Sequence, residues 1–300
     1  MMNKSSTPEP TVSIGVPAYN SERWIERTIQ SLLSQTFTDF ELIISDNCSD
    51  DNTYAICKAL AQKDERIMLY TNKNNIGAAK NYNKTFKLAR GKYFKWASSN
   101  DLCGATFLEK CVKVLDANPE VSLAIPKTQI IDSNDKIIKV CEENFHLSQP
   151  SAFERFEAFL DRVRLNNPEQ GLIRASVLRK THLQAVYPNS DTILIAEIAA
   201  RGKVYQIQDV LLSRRQSQSS ATKLMSESEV ANFYSPNKSH IPNVTLRTFL
   251  ALIGISTRIS VPFMERLKFY CYAVRYLRWG RKNIAEELSA YFKRIIKTNV

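Results

Sequence analysis

Three short polar runs in this chain each close an apolar one. Pro17-Ala18-Tyr19-Asn20 follows Val12 to Val16, Asp46-Asn47-Cys48-Ser49-Asp50-Asp51 follows Glu41 to Ser45, and Ser98-Ser99-Asn100-Asp101 follows Lys92 to Ala97. Strands of an open α/β sheet present their carboxyl ends to one crevice, so carboxylates, amides and hydroxyls stranded there are site candidates for a polar ligand. No Gly-x-Gly-x-x-Gly follows any strand and there is no Walker lysine loop, which disfavours a dinucleotide dehydrogenase and a P-loop ATPase. A phosphate would have to be held another way.

The elements that must position these residues alternate. Strand patterns at 12–16, 41–45, 67–71 and 93–97 are separated by helix patterns at 21–35, 53–62 and 78–89. In the first helix Trp24, Ile25, Thr28, Ile29, Leu32 and Leu33 fall on one face, and Ser21 suits its cap. Such alternation predicts a mostly parallel sheet with helices on both faces. A helix at 105–117, a strand at 121–125 and a hairpin of 129–132 with 136–140 about Ser133-Asn134-Asp135 follow. Helices at 153–164 and 192–201, the second ending at Gly202, flank a short strand at 171–174; strands at 204–208 and 210–214 close the unit. Residues 213–237 are Ser/Gln-rich and read as a loop, with 221–240 a linker or lid. From about 241 only helix patterns remain.

Six scattered cysteines, with no Cys-x-x-Cys pair and no His at zinc-ligand spacing, read as free thiols in a reducing compartment. Residues 1–10 are polar with Pro8 and Pro10, a flexible arm resembling neither signal nor anchor. The longest uncharged apolar stretch, Thr248 to Thr257, is far short of the ~20 residues of a spanning helix. Residues 241–300 carry eleven Lys/Arg against three Glu, a net of +8 out of the formal +11 for the whole chain.

The three strand-end runs, in this order and spacing, resemble those of family 2 glycosyltransferases, inverting nucleotide-sugar enzymes with the GT-A fold. The resemblance covers about residues 11–220 and implies a Rossmann-like α/β domain there; the helical C-terminal region, 241–300, lies outside it and is read from its pattern alone. It implies that Pro17 and Tyr19 border the nucleotide base and that Asp46 accepts from a uracil N–H, an apt pairing because a carboxylate only accepts. Asp51 then caps the next helix. Asn75-Ile76-Gly77 with Lys80 is similar to the family's loop beneath the nucleotide, Gly77 allowing close approach and Lys80 reaching a phosphate or the base; a simple turn remains open. Ser99-Asn100-Asp101 stands at the family's metal motif with only its last acid, so Asp101 is expected to hold Mn2+ or Mg2+, with Asn100 near the ribose or a phosphate. Asp191, eleven residues before Gly202, matches the family's base, an ordinary helix cap being the alternative. Arg214 and Arg215 resemble a segment that folds over the diphosphate, Gln216 standing where a His is common; a solvated strand edge remains open.

What this implies is transfer of a sugar from a nucleoside-diphosphate-sugar, UDP favoured on Asp46, to a hydroxyl of a saccharide or lipid-linked saccharide. A nucleotide-sugar-binding or assembly protein without chemistry is the alternative. Phe269, Tyr272, Tyr276 and Trp279 recur among Arg and Lys over 261–297, which suits either a membrane-surface helix or a bundle packed on the catalytic domain. The expected location is cytoplasmic, peripheral at the inner face of a membrane in the first case, and no nucleic-acid module accompanies the charge.

Overall fold

The structure, a computed structural model, describes residues 9–216, 225–287 and 289. In chain order its first half is β1 (Val12–Ala18), α1 (Ile25–Leu33), β2 (Phe40–Asp46), α2 (Thr53–Ala61), β3 (Ile67–Thr71), α3 (Ala78–Leu88) and β4 (Tyr93–Trp96). The second half is β5 (Leu102–Cys103), α4 (Phe107–Ala117), β6 (Val121–Ile131), β7 (Ile137–Val140), α5 (Ala152–Arg162), a 3-10 turn (Asn167–Gln170), β8 (Leu172–Arg174), α6 (Ala175–Leu178), α7 (Ser190–Arg201), β9 (Lys203–Arg215), α8 (Glu227–Tyr234), α9 (Val244–Arg258) and α10 (Phe263–Trp279).

One sheet runs β3-β2-β1-β4-β8-β6-β9-β5, with β7 beside β6. Its first four strands are parallel, as the alternation predicts, while β8 pairs antiparallel with both β4 and β6. Every residue of β1 and β2 is buried, and the polar ones among them are paired inside, the Ser13 hydroxyl donating to Glu41 at 2.6 Å. The parallel direction of β1, β2 and β4 carries Tyr19, Asn47 and Ser98 to the same edge.

Two expected breaks are bulges instead. The strands expected at 121–125 and 129–132 are one strand, β6, and those at 204–208 and 210–214 are one strand, β9. Their parallel ladder pairs Pro126 with Ile207 and then Lys127 with Val210, so Gln208 and Asp209 are extra residues on β9 opposite a proline that has no N–H to give. Ser21 does not cap α1 through its side chain. That helix starts later, at Ile25, and the Ser21 hydroxyl donates to the Tyr19 carbonyl at 3.0 Å. Within the expected 221–240 loop stands α8, opened by a capping box between Ser226 and Glu229. Residues 217–224, which include the start of that stretch, lie outside the described residues.

The C-terminal helices share the main core. Phe269 and Tyr272 of α10 meet Phe156 of α5 at centroid distances of 5.0 and 5.1 Å, and Phe153 meets Phe269 edge-on at 5.2 Å. The Glu265 carboxylate accepts from the Ser151 hydroxyl at 2.6 Å and from the Phe153 N–H at 2.9 Å, tying α10 to the start of α5. Glu197 of α7, 3 % exposed, is bridged by Arg201 at 2.6 Å and by Arg258 of α9 at 2.7 Å. A buried carboxylate with two guanidinium partners is satisfied, and it fixes α9 against α7. Among the described residues no helix is long and apolar enough to cross a membrane.

Because α9 and α10 complete one core with α5 and α7, the C-terminal region unfolds with the sheet. Phe269→Ala is expected to cost ~3–5 kcal/mol and to lower the midpoint of a single thermal transition. Calorimetry showing a separate early transition would contradict this shared core.

Candidate active site

The loops after β1, β2 and β4 are laced to one another. The Asn20 N–H donates to the Ser49 hydroxyl at 3.0 Å, the Asp50 N–H to the Asn20 carbonyl oxygen of its amide at 3.1 Å, and the Glu22 N–H to Asp51 at 3.0 Å. Asp51 also accepts from the Thr53 N–H at 2.9 Å and so steadies the start of α2, although the N-cap position is Asn52 and not Asp51 as expected. Across to the β4 loop, the Ser21 and Ser99 hydroxyls share a hydrogen bond of 2.7 Å. An amide cluster joins β2 to α3: Asn47 accepts from Asn72 at 2.8 Å and from the Ile76 N–H at 3.0 Å, and donates to Asn75 at 2.7 Å. Side chains of this type compete well for backbone groups, which is why the loops are shaped by Asn, Asp and Ser.

A second organiser is the run Asn166-Asn167-Pro168-Glu169-Gln170, to which the sequence reading assigned no role. Asn166 Nδ2 donates to Asp191 Oδ2 at 2.9 Å, Asn167 Oδ1 accepts from Arg214 Nη1 at 3.0 Å, and Gln170 Nε2 donates to Asp101 Oδ2 at 2.6 Å. Glu169 accepts from Gln184. One turn thus holds three of the expected site residues and adds a carboxylate of its own. The signal available in the sequence is six polar or turn-forming residues, Asn166 to Gly171, between two apolar elements.

These elements enclose a cavity of about 610 Å³, within the range of small-molecule sites. Pro17, Tyr19, Asn47, Asn75, Asn81, Tyr82, the Ser98 to Asp101 run, Glu169, Gln184, Asp191, Arg214 and Arg215 border it, and Glu229, Phe233 and Tyr234 of α8 close one side. Asp191 lies in the first turn of α7, where the N-cap is Asn189 in a left-handed conformation, so the cap reading does not apply to Asp191. Arg215 is spent on the fold: its fully buried side chain donates to the Asn100 and Asp132 carbonyls at 3.0 and 2.7 Å and stacks 4.1 Å over Trp24. Among the described residues that line the cavity, Arg214 is the cation left to meet a ligand.

Of the expected residues the structure brings Pro17, Tyr19, Asn100, Asp101, Asp191 and Arg214 to this cavity. Asp46, 2 % exposed, lies below the lining with its oxygens accepting from the Ser49 hydroxyl at 2.6 Å and from Thr71 at 3.3 Å. Lys80 is exposed on α3 outside the lining. Gly77 is buried with φ +84°, and a Cβ there would stand 2.3 Å from the Tyr234 carbonyl oxygen. The backbone it admits is that of α8, not a ligand.

Asp101 does not fit the Mn2+ or Mg2+ expected there. It is 5 % exposed, and each oxygen already accepts from the protein, Oδ2 from Gln170 and Oδ1 from the Arg215 N–H at 2.7 Å. Burial holds its carboxyl above the usual carboxylate range, against the pull of these bonds and of Arg214 and Lys95. Lys95 is itself fully buried below, donating to the Gln170 carbonyl and lying 4.2 Å from the Phe107 ring centroid. Ser98, Ser99 and Asn100 are neutral, residues 217–224 contain no Asp, Glu, His or Cys, and among the described residues no group of three such side chains is placed to hold an ion. At Asp101 a divalent cation finds no carboxylate oxygen left free for it.

Binding of an anion in this cavity is therefore expected to be insensitive to chelation. The affinity for UDP, read by calorimetry, is expected to agree within about twofold between EDTA and Mn2+, as charge–charge contacts to Arg214 do not need the ion. A tenfold gain with Mn2+ would show that Asp101 turns to serve one.

Comparison with known proteins agrees with this fold. The family model described as glycosyl transferase family 2 matches residues 13–181. An uncharacterized glycosyltransferase of Methanocaldococcus jannaschii is 28 % identical over 174 residues, 57 % of this chain and 58 % of that protein. The Escherichia coli UDP-Glc:alpha-D-GlcNAc-diphosphoundecaprenol beta-1,3-glucosyltransferase WfgD is 36 % identical over 128 residues, 43 % of this chain and 49 % of that one. The chain thus spans about half the length of these curated relatives. In three dimensions it is similar to Staphylococcus aureus TarS 1–349 in complex with UDP-GlcNAc, with a TM-score of 0.64 at 16 % identity over 89 % of this chain and 72 % of that one. The Pyrobaculum calidifontis mannosyltransferase PcManGT, in complex with GDP-Man and Mn2+, gives 0.55 at 17 % identity over 95 % and 75 %. With more than half of its residues matching the family model and the sheet of a GT-A enzyme, the chain belongs to glycosyl transferase family 2.

Proposed function

We propose that this protein transfers a sugar from a nucleoside-diphosphate-sugar, a UDP-sugar in the first instance, to a hydroxyl of a saccharide or lipid-linked saccharide. The observation that carries the reading is that Asp191 borders the same cavity as the ends of β1 and β4. The nucleotide would lie along Pro17, Tyr19 and the Asn47 and Asn75 amides, with Asp46 beneath and Gly77 and Lys80 at the margin. Asn100 and Arg214 would take the diphosphate. WfgD, whose name gives UDP-Glc as its donor, and TarS, with UDP-GlcNAc bound, support UDP; the GDP-Man of PcManGT keeps GDP in the panel to be tried.

The reaction is one in-line displacement. The acceptor oxygen forms its bond to the anomeric carbon while the bond to the diphosphate oxygen breaks and the nucleoside diphosphate leaves with the electron pair. Asp191, oriented by Asn166, takes the acceptor proton. A single displacement inverts the anomeric configuration. Arg214 offsets the charge that grows on the leaving diphosphate, and the residues present give no step to a metal.

The neutral Ser98-Ser99-Asn100 run favours a second reading, a nucleotide-sugar-binding protein without turnover. Release of nucleoside diphosphate from a donor separates the two. At the C-terminus, Phe263, Met264 and Trp279 are 71, 69 and 64 % exposed beside Arg266, Lys268, Arg275 and Arg278, which supports contact with an anionic membrane surface and suits a lipid-linked acceptor.

Asp191→Asn is expected to lower kcat by ~10²–10⁴ while UDP affinity stays within about twofold. Proton NMR of the first product is expected to show the anomer opposite to the donor's. Full turnover in Asp191→Asn would remove the base assignment.

A further inference from the structure

Glu169 borders the cavity beside Asp191, yet the displacement just described gives it nothing to do. It is half-buried on the 3-10 turn, faces no Lys or Arg in an ion pair among the described residues, and is held from one side by the Gln184 amide. Gln184 is itself fixed: it is 8 % exposed, its carbonyl accepts from Asn83 Nδ2 at 2.8 Å and its N–H donates to Asn83 Oδ1 at 3.1 Å. Two neighbouring side chains of the turn have other partners, Asn167 bonding Arg214 and Gln170 bonding Asp101. The carboxyl is therefore held by an amide, as Asp191 is by Asn166, and borders the same cavity.

We propose that Glu169 is a sugar-reading residue, which hydrogen-bonds a hydroxyl of the sugar that enters beside Asp191, on the transferred sugar or on the acceptor. This rests on the transferase reading above. The surroundings are those of a saccharide subsite: a carboxyl, the Gln184 amide, the Tyr82 phenol hydrogen-bonded with Ser98, and the rings of Phe233 and Tyr234 on one side. Saccharides are bound by planar polar groups that both donate and accept, set beside aromatic faces.

Two carboxylates on one small cavity cannot share an anionic state cheaply. Burial first, and then the charge of Asp191, push the Glu169 carboxyl up to about 8, against Arg214 and the Gln184 bond. It therefore enters neutral solution with its proton, able to donate to one hydroxyl while it accepts from another. Pairs of acids whose environments separate them in this way divide their tasks, one as base and one as neutral hydrogen-bonding group. The groups that face Glu169 are Asp191 on α7, Arg214 on β9, Tyr82 on α3, Tyr234 on α8 and Gln184, and burial pushes both tyrosines up, out of the physiological range.

The test compares wild type, Glu169→Gln and Glu169→Ala in the full chain, with UDP, the tightest-binding member of a UDP-sugar panel, and a saccharide acceptor. UDP affinity is expected to stay within about twofold in all three. Glu169→Ala is expected to lose about tenfold or more, in UDP-sugar affinity if the hydroxyl belongs to the donor, or in acceptor KM with donor affinity intact if it belongs to the acceptor; Glu169→Gln, neutral and of the same shape, is expected to restore most of it. An Ala variant equal to wild type in both quantities overturns the proposal, as does a Gln variant as impaired as Ala, which would mean that the anion is what matters. If wild type binds no nucleotide at all, the transferase reading fails and takes this one with it.

Thermal stability gives a readout free of turnover. The folded chain keeps the Glu169 proton up to about 8 while the unfolded chain releases it near the ordinary glutamate value, so this group's contribution to stability falls as pH rises across that window. The melting temperature of Glu169→Gln relative to wild type should climb between about pH 5 and 8 and level off above. A difference that does not change with pH would show that Glu169 enters as an ordinary anion and would overturn its role as a neutral reader.

Discussion

The crevice depends on one buried carboxylate. Asp101 ends the β4 loop inside the protein, where an unpaired charge would cost several kcal/mol. Its oxygens are satisfied from two directions, by Gln170 from the 3-10 turn and by the backbone of Arg215 from the end of β9, while Lys95 lies beneath. Three segments far apart in the chain are thereby clamped to one point, and Asp191 and Arg214 are fastened to the same turn by Asn166 and Asn167. The same commitment explains why the residue is a poor place for a cation. An oxygen that must satisfy the fold is not free to dehydrate an ion.

The cavity has two chemically different ends. Toward β1 and β2 it is bounded by amides whose partners are mostly one another, a rigid neutral lining suited to a nucleoside. Toward α7 it holds Asp191 and Glu169, with Arg214 tied to the intervening Asn167. A diphosphate needs the cation, and an attacking hydroxyl needs the base. Between these, a sugar needs groups that read hydroxyls without adding charge, and a carboxyl that keeps its proton meets that need. α8 closes one side, admitted by the left-handed Gly77 over which the Tyr234 backbone passes.

Much of this was legible in the sequence, for identifiable reasons. The strand ends showed because β1, β2 and β4 are buried along their length and give way abruptly to polar residues. Asp191 was picked out by the resemblance to the family's helix-opening acid, with the helix-ending Gly202 supporting its register. The Asn166 to Gln170 turn did not show, since its meaning lies in contacts to residues 25, 47 and 69 positions away that no local pattern encodes. Nor could the sequence say that Asp101 faces inward, because an aspartate that serves a metal and one that pins a turn look alike until their partners are placed. The bulge at Gln208-Asp209 looked like a strand break for a similar reason, as polarity in mid-strand is explained only by the facing Pro126. The α8 capping box at Ser226 and Glu229 was visible but sat within a Ser/Gln-rich span that read as loop.

The most direct test of the whole account is a crystal structure of the chain with a UDP-sugar, grown in EDTA. The account predicts the uracil along Tyr19 and Asn75, the diphosphate on Arg214 and the sugar beside Asp191 and Glu169, with Asp101 still bound to Gln170 and Arg215. A nucleotide seated instead in the separate cavity of about 660 Å³ formed by Lys110, Lys113, His146 and Asp209, or a nucleotide that requires Mn2+ on Asp101, would contradict it.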